Sequence, residues 1–175
     1  GGAYMGLQIL EREKRIYQEN PNIQPDLSGN DYILEKQLKP EARKDVRTLF
    51  ESLGIKPTSM IDISDGLASE LIHLCTQSGT GCNLFEEKIP IDPQTFDRAR
   101  EFGLDPTLCA LSGGEDYELL FTIPLTDYEK IKNDFDITII GHMLDKNSGM
   151  NLVSKDGNSH PLTAQGWDAF LKNKS

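Results

Sequence analysis

Apolar residues recur along the chain in two rhythms, one helical and one alternating. A helix is predicted over 3–17, with Tyr4, Leu7, Leu10 and Ile16 as its apolar stripe and 11–15 on the solvated side. Asn20-Pro21 closes it, and Pro25 and Gly29 mark a loop. Residues 31–39 read as a second helix. Pro40 sits at a helix-start position for a third over 41–53, with Val46, Leu49, Phe50 and Leu53 at helical spacing and Gly54 as C-cap. Residues 59–63 read as a strand, with Ile61 and Ile63 on one side and Met60 and Asp62 on the other. Leu67, Leu71, Leu74 and Cys75 then define a helix that Ser78-Gly79 stops. A strand over 81–85 follows. Asp92-Pro93 opens a helix through Arg100, ended by Gly103, and 106–111 forms a short one. The aromatic and β-favouring run 117–123, closed by Pro124, is the clearest strand. A helix over 126–133 and strands over 137–143 and 150–154 complete the pattern, with turns at 145–149 and 156–157.

Strands and helices alternate here without a strict βαβ repeat. The expected fold is α+β, with a mixed sheet of about four to six strands flanked by helices. The 175 residues suffice for one domain with a single core, although hydrophobic residues are only 37%. The net charge of -10 and pI near 4.7 exclude nucleic acid and anionic membranes as natural partners. No apolar run approaches membrane-span length and no signal-peptide pattern opens the chain. Cys75, Cys82 and Cys109 lack CxxC spacing and a histidine partner at ligand spacing. They read as buried, reduced thiols of a cytoplasmic protein.

The charge changes the picture most at two acidic clusters. In the first, Asp62 ends a strand and Ser64, Asp65 and Gly66 lead into a helix. Such a turn places backbone N–H groups near the positive helix end, where phosphate oxygens bind, and Ser64 can donate a hydrogen bond to one. Asp62 and Asp65 supply the hard oxygen ligands that magnesium prefers. Helix capping alone would explain Ser64 or Asp65. It does not explain Asp62, a charge inside a short apolar strand. The second cluster is Gly113-Gly114-Glu115-Asp116-Tyr117-Glu118. An acidic turn of this kind is often only a solvated loop. The residues do not say which of the three acids is functional, and Glu118 alternates toward the other face of its strand. Both clusters are expected to face one site that handles phosphate through metal ions. The single tryptophan, Trp167, is either a C-terminal anchor on the core or a stacking surface for a ligand ring. His73, His142 and His160 share no ligand spacing and take no role.

Three segments in order, Asp62-Ile63-Ser64-Asp65-Gly66-Leu67, the run from Gly113 through Phe121, and Gly166-Trp167-Asp168-Ala169-Phe170, resemble the C-terminal half of thiamine-monophosphate kinases. Tyr4-Met5-Gly6-Leu7 resembles the start of the segment linking that family's halves. The first motif is shared more loosely with the superfamily of aminoimidazole ribonucleotide synthetase and selenophosphate synthetase. The resemblance implies an α+β domain and ATP-dependent phosphorylation of thiamine phosphate to thiamine diphosphate with magnesium. It implies Asp62 and Asp65 as magnesium ligands, Ser64 as an ATP contact, and Glu115 and Trp167 as contacts to thiamine phosphate, with no protein nucleophile. It also implies that 1–20 is a linker helix from an N-terminal ATP-binding domain, that 21–175 is the C-terminal domain, and that the full-length protein is a homodimer. The isolated chain is then expected to be inactive. Two rival readings are another ATP-dependent superfamily member, acting on a purine precursor or selenide, and a non-catalytic assembly domain whose acids are caps and solvated turns.

Overall fold

Thirteen helices and strands account for the rhythm of the sequence in the computed structural model, which describes residues 1–164. The helices are α1 (Gly2–Glu19), α2 (Asp31–Leu38), α3 (Lys44–Leu53), α4 (Leu67–Ser78), α5 (Pro93–Glu101), α6 (Pro106–Ser112) and the short α7 (Tyr128–Ile131). The strands are β1 (Ser59–Asp62), β2 (Thr80–Phe85), β3 (Leu119–Thr122), β4 (Gly141–Asp145), β5 (Met150–Val153) and β6 (Ser159–Pro161). The fold is α+β, as the alternation of elements predicts. The six strands among the described residues divide into two sheets: a four-stranded mixed sheet in the order β4-β2-β5-β6, and a two-stranded antiparallel ribbon of β1 and β3.

The central strand β2 pairs antiparallel with β4 and parallel with β5. It carries the buried Cys82 and Leu84, against which α4 lays Leu67, Leu71, Leu74 and Cys75. That face of α4 is the stripe read from the sequence. The ribbon joins the same core through Leu120 of β3 and Ile61 and Ile63 at β1. The alternation along β1 is as expected, with Met60 and Asp62 exposed between half-buried neighbours. A second core holds Met5, Ile9, Ile33, Ala99 and Cys109, where α1, α2, α5 and α6 meet. A third sits under the other end of the ribbon, where Phe50 of α3 packs edge-on to Phe121 of β3 with ring centroids 4.9 Å apart.

Several boundaries differ from the sequence reading, each for a local reason. The buried face of α1 is Ala3, Met5, Gly6, Ile9 and Glu13, while Leu7 of the expected stripe is exposed. Small residues select this face: a Cβ on Gly6 would come within 2.5 Å of the Ile33 carbonyl oxygen of α2. Glu13, expected in solvent, is buried because its carboxylate accepts the Asp26 backbone N–H at 3.0 Å, tying the following loop to α1. Pro40 does not open a helix. Residues 40–43 stay irregular and deliver Arg43 to Glu118, so α3 begins at Lys44. The strand at 117–123 shortens to Leu119–Thr122, because the chain leaves β geometry at Glu115 and Tyr117. The helix at 126–133 is a short 3-10 turn followed by α7. The strand at 137–143 shifts to Gly141–Asp145, since Ile137 and Ile139 turn into the third core. The strand β6, three exposed residues long, has no hydrophobic pattern to announce it.

Candidate functional site

Asp62 is the last residue of β1, paired in register with Leu119 of β3. Beyond that pair the two segments stay joined. Ile63 donates its N–H to the Glu118 carbonyl at 2.8 Å, Tyr117 donates to the Ile63 carbonyl at 2.9 Å, and Glu115 donates to the Ser64 carbonyl at 2.8 Å. The two acidic clusters therefore lie side by side along one backbone ladder. Gly114 permits the closest approach: a Cβ there would sit 2.3 Å from the Ser64 carbonyl oxygen. Gly66 turns the chain into α4 at φ 116°, and a Cβ on it would meet the Leu111 carbonyl oxygen at 2.8 Å. Gly66 and Gly114 thus each have a steric reason.

The three acids of the second cluster separate cleanly. Asp116 turns toward α1 and accepts the backbone N–H of Ala3 at 3.0 Å, satisfying the start of that helix. Glu118 is half-buried and binds Lys36 of α2 at 2.5 Å and Arg43 before α3. Burial alone would raise its carboxyl pKa; the two cations outweigh that and hold it below the usual range. Glu115 has neither duty. Its carboxylate accepts only the Tyr117 hydroxyl, at 2.9 Å, among the described residues. Both Glu115 (φ 68°) and Tyr117 (φ 49°) occupy the left-handed region that L-residues avoid. Strained backbone held by surrounding hydrogen bonds is a recurrent mark of functional positions. The Tyr117 hydroxyl has a raised pKa, first from the Glu115 hydrogen bond and carboxylate charge, and further from the charges of Asp62 and Asp65. That coupling places the phenol within the field of both clusters.

Asp62 and Asp65 are exposed and take part in no ion pair or side-chain hydrogen bond among the described residues. Neither Asp65 nor Ser64 caps α4, whose N-cap is Gly66 without a side-chain cap. The capping alternative is thereby removed. Instead, Ser64 Oγ donates to Glu70 Oε1 at 3.2 Å, and the Asp65 N–H donates to the same oxygen at 3.1 Å. Asp62, Asp65 and Glu115 thus gather negative charge without a protein cation. Among the described residues no group of three or more His, Cys, Asp or Glu side chains is arranged to hold a metal ion. A pair of free carboxylates still suits magnesium, which keeps several waters and takes substrate phosphate oxygens as its remaining ligands. Trp167 lies outside the described residues. His73 is exposed, in keeping with the solvated role expected of it.

Two residues of this arrangement escaped the sequence reading. Glu70 lies on the apolar stripe of α4 between Leu67, Leu71 and Leu74, and a charge in that stripe was the available signal. Tyr117 stands in the second cluster and at the start of the expected strand without a role of its own, and nothing local in the sequence announces its left-handed backbone.

The fold defines the class first. It is the aminoimidazole ribonucleotide synthetase-like fold, shared with the hydrogenase maturation protein HypE in complex with ATP (TM-score 0.57, 19% identity, 71% of this chain and 40% of that chain), a likeness of fold alone. Within that class the chain is related by sequence to thiamine-monophosphate kinases. It is 37% identical to the enzyme of Pyrococcus horikoshii over 136 residues, covering 78% of this chain and 40% of the relative. It is 31% identical to that of Aquifex aeolicus over 170 residues, covering 97% of this chain and 49% of the relative. Among solved structures, AaThiL complexed with AMPPCP and TMP superposes with a TM-score of 0.75 at 28% identity, over 97% of this chain and 48% of that one. No protein-family model matches the chain. The chain spans half or less of the length of these relatives.

Proposed function

We propose that this chain is the C-terminal domain of a thiamine-phosphate kinase, which transfers the γ-phosphoryl group of ATP to thiamine phosphate and yields thiamine diphosphate. The observation that carries the reading is the backbone ladder from Ile63 and Ser64 to Glu115, Tyr117 and Glu118, which sets the two family motifs against each other. The sequence relatives and the neighbour complexed with AMPPCP and TMP supply the chemistry it serves. In this reading Asp62 and Asp65 hold magnesium, Ser64 contacts the nucleotide, and Glu115 and Trp167 contact thiamine phosphate. Bound magnesium would neutralise charge on the phosphates. Asp62 and Asp65 provide anionic oxygen at the end of β1, and the Glu115 carboxylate, steadied by Tyr117, orients the acceptor. Phosphoryl transfer between two phosphates requires positioning and charge neutralisation rather than a protein nucleophile, and none is assigned.

Residues 1–20 would link this domain to an N-terminal ATP-binding half, with 21–175 as the C-terminal domain of a cytoplasmic homodimer. The described residues contain no helix long and apolar enough to cross a membrane. The test is thiamine diphosphate formation from ATP and thiamine phosphate by the full-length protein, and by the 175-residue chain alone. Turnover by the first and none by the second is expected. Failure of the full-length protein to form thiamine diphosphate would overturn the function, and turnover by the isolated chain would overturn the division of the site.

A further inference from the structure

Glu70 is a carboxylate at 3% exposure, in the first turn of α4, with no cation partner among the described residues. Burying an unpaired charge is costly, so its retention calls for compensation. The compensation is specific. One oxygen, Oε1, accepts both the Ser64 hydroxyl and the Asp65 backbone N–H, and the positive end of α4 favours the charge. All three interactions converge on the turn between β1 and α4. We infer that Glu70 is the positioning residue of this turn: it fixes the Asp65 backbone and accepts the hydrogen bond of the Ser64 hydroxyl, so that Ser64 Oγ presents lone pairs to whatever binds there.

The consequence is a reversal of polarity at Ser64. A free serine hydroxyl at this position would donate to a phosphate oxygen. With its single proton committed to Glu70, Oγ instead accepts, which matches a partner carrying O–H or N–H, such as water on a bound cation. Nothing on the surface of the turn reveals this, because the controlling carboxylate lies beneath it. The assignment rests on the nucleotide and metal reading of the site, but its backbone part is measurable without turnover.

The experiment compares Glu70→Gln, Glu70→Leu, Ser64→Ala and the Glu70→Leu/Ser64→Ala double variant in the full-length protein. Two readouts are taken: affinity for magnesium with AMPPCP, and hydrogen exchange of the Asp65 amide. Glutamine keeps an oxygen that accepts both bonds, so Glu70→Gln should stay within about threefold of wild type in both. Glu70→Leu should lose about tenfold or more in affinity and speed Asp65 exchange by a similar factor. The double variant should lose less than the product of the single losses, because both changes break one shared hydrogen bond. If Glu70→Leu does not fold, Glu70→Gln and Ser64→Ala decide the matter, the latter leaving Asp65 exchange near wild type. Loss in Glu70→Gln as severe as in Glu70→Leu, or unchanged Asp65 exchange in Glu70→Leu, would overturn the inference. Wild-type protein that does not bind magnesium with AMPPCP would instead overturn the functional reading, and the exchange measurement would still decide the role of Glu70.

Discussion

Glu115 and Tyr117 hold backbone conformations that cost an L-residue about 1 kcal/mol or more each, yet the ladder to Ile63 and Ser64 keeps them there. Glycine would adopt φ 68° without that cost, offset by its greater freedom in the unfolded chain. Glu115→Gly is therefore expected to unfold within about 1 kcal/mol of wild type in urea, while losing the carboxylate. In a calorimetric titration, affinity for thiamine phosphate should fall about tenfold or more, the scale of one charged hydrogen bond. A stable protein with unchanged affinity would remove Glu115 from the substrate site. At Cys82, burial and the neighbouring Cys75 thiol push the pKa up to about 12, and burial raises that of Cys109. All three cysteines are free and buried. Native protein is expected to react with a thiol reagent only through its transiently unfolded molecules, so rates in increasing urea should track the unfolded fraction.

At the scale of elements, the ribbon of β1 and β3 is the part on which the site depends, and two contacts hold it in place. Gly114 brings the acidic loop onto the Ser64 carbonyl, where a methyl group would sit only 2.3 Å from the oxygen. Gly114→Ala is expected to cost about 2 kcal/mol by overpacking against backbone that has little room to move, read by thermal unfolding. Glu118 joins β3 to α2 through Lys36 and to the start of α3 through Arg43. Its folded-state pKa lies below the unfolded one, so this stabilisation is full above the ordinary glutamate range and disappears as pH falls through the lowered value. Glu118→Gln should therefore lower stability at pH 7 by about 1 kcal/mol, a modest figure because the cluster is partly solvated. The difference from wild type should close on acidification below the glutamate range, in melts recorded across pH. A gap independent of pH would mean that Glu118 acts by packing rather than charge.

On the scale of the whole molecule, three cores divide the labour. The largest joins α4 and β2 to the ribbon, the second gathers α1, α2, α5 and α6, and the third supports the far end of the ribbon. The acidic turn stands where the first core ends in solvent, so its carboxylates stay hydrated while Glu70 beneath them is dry. Rigid support under an exposed pair of carboxylates is what the proposed metal-dependent phosphoryl transfer would need.

Local patterns in the sequence were enough for α4, β1, β2 and α5, because each satisfies its own rule: a helical stripe, an alternation, or a side-chain cap with proline at the first helical position. They were also enough to mark Asp62 as a charge with no structural duty. What they could not decide were features settled by distant partners. The buried face of α1 follows from how closely Gly6 meets α2, not from the largest apolar residues. The ranking of Glu115, Asp116 and Glu118 follows from which helix end or cation reaches each, over separations of 75 residues or more for the two that are taken. The division into two sheets, and the polarity of Ser64 under Glu70, likewise exist only once the chain has folded. Periodicity reports what a residue does for its own element, whereas a site is made by what one element does to another.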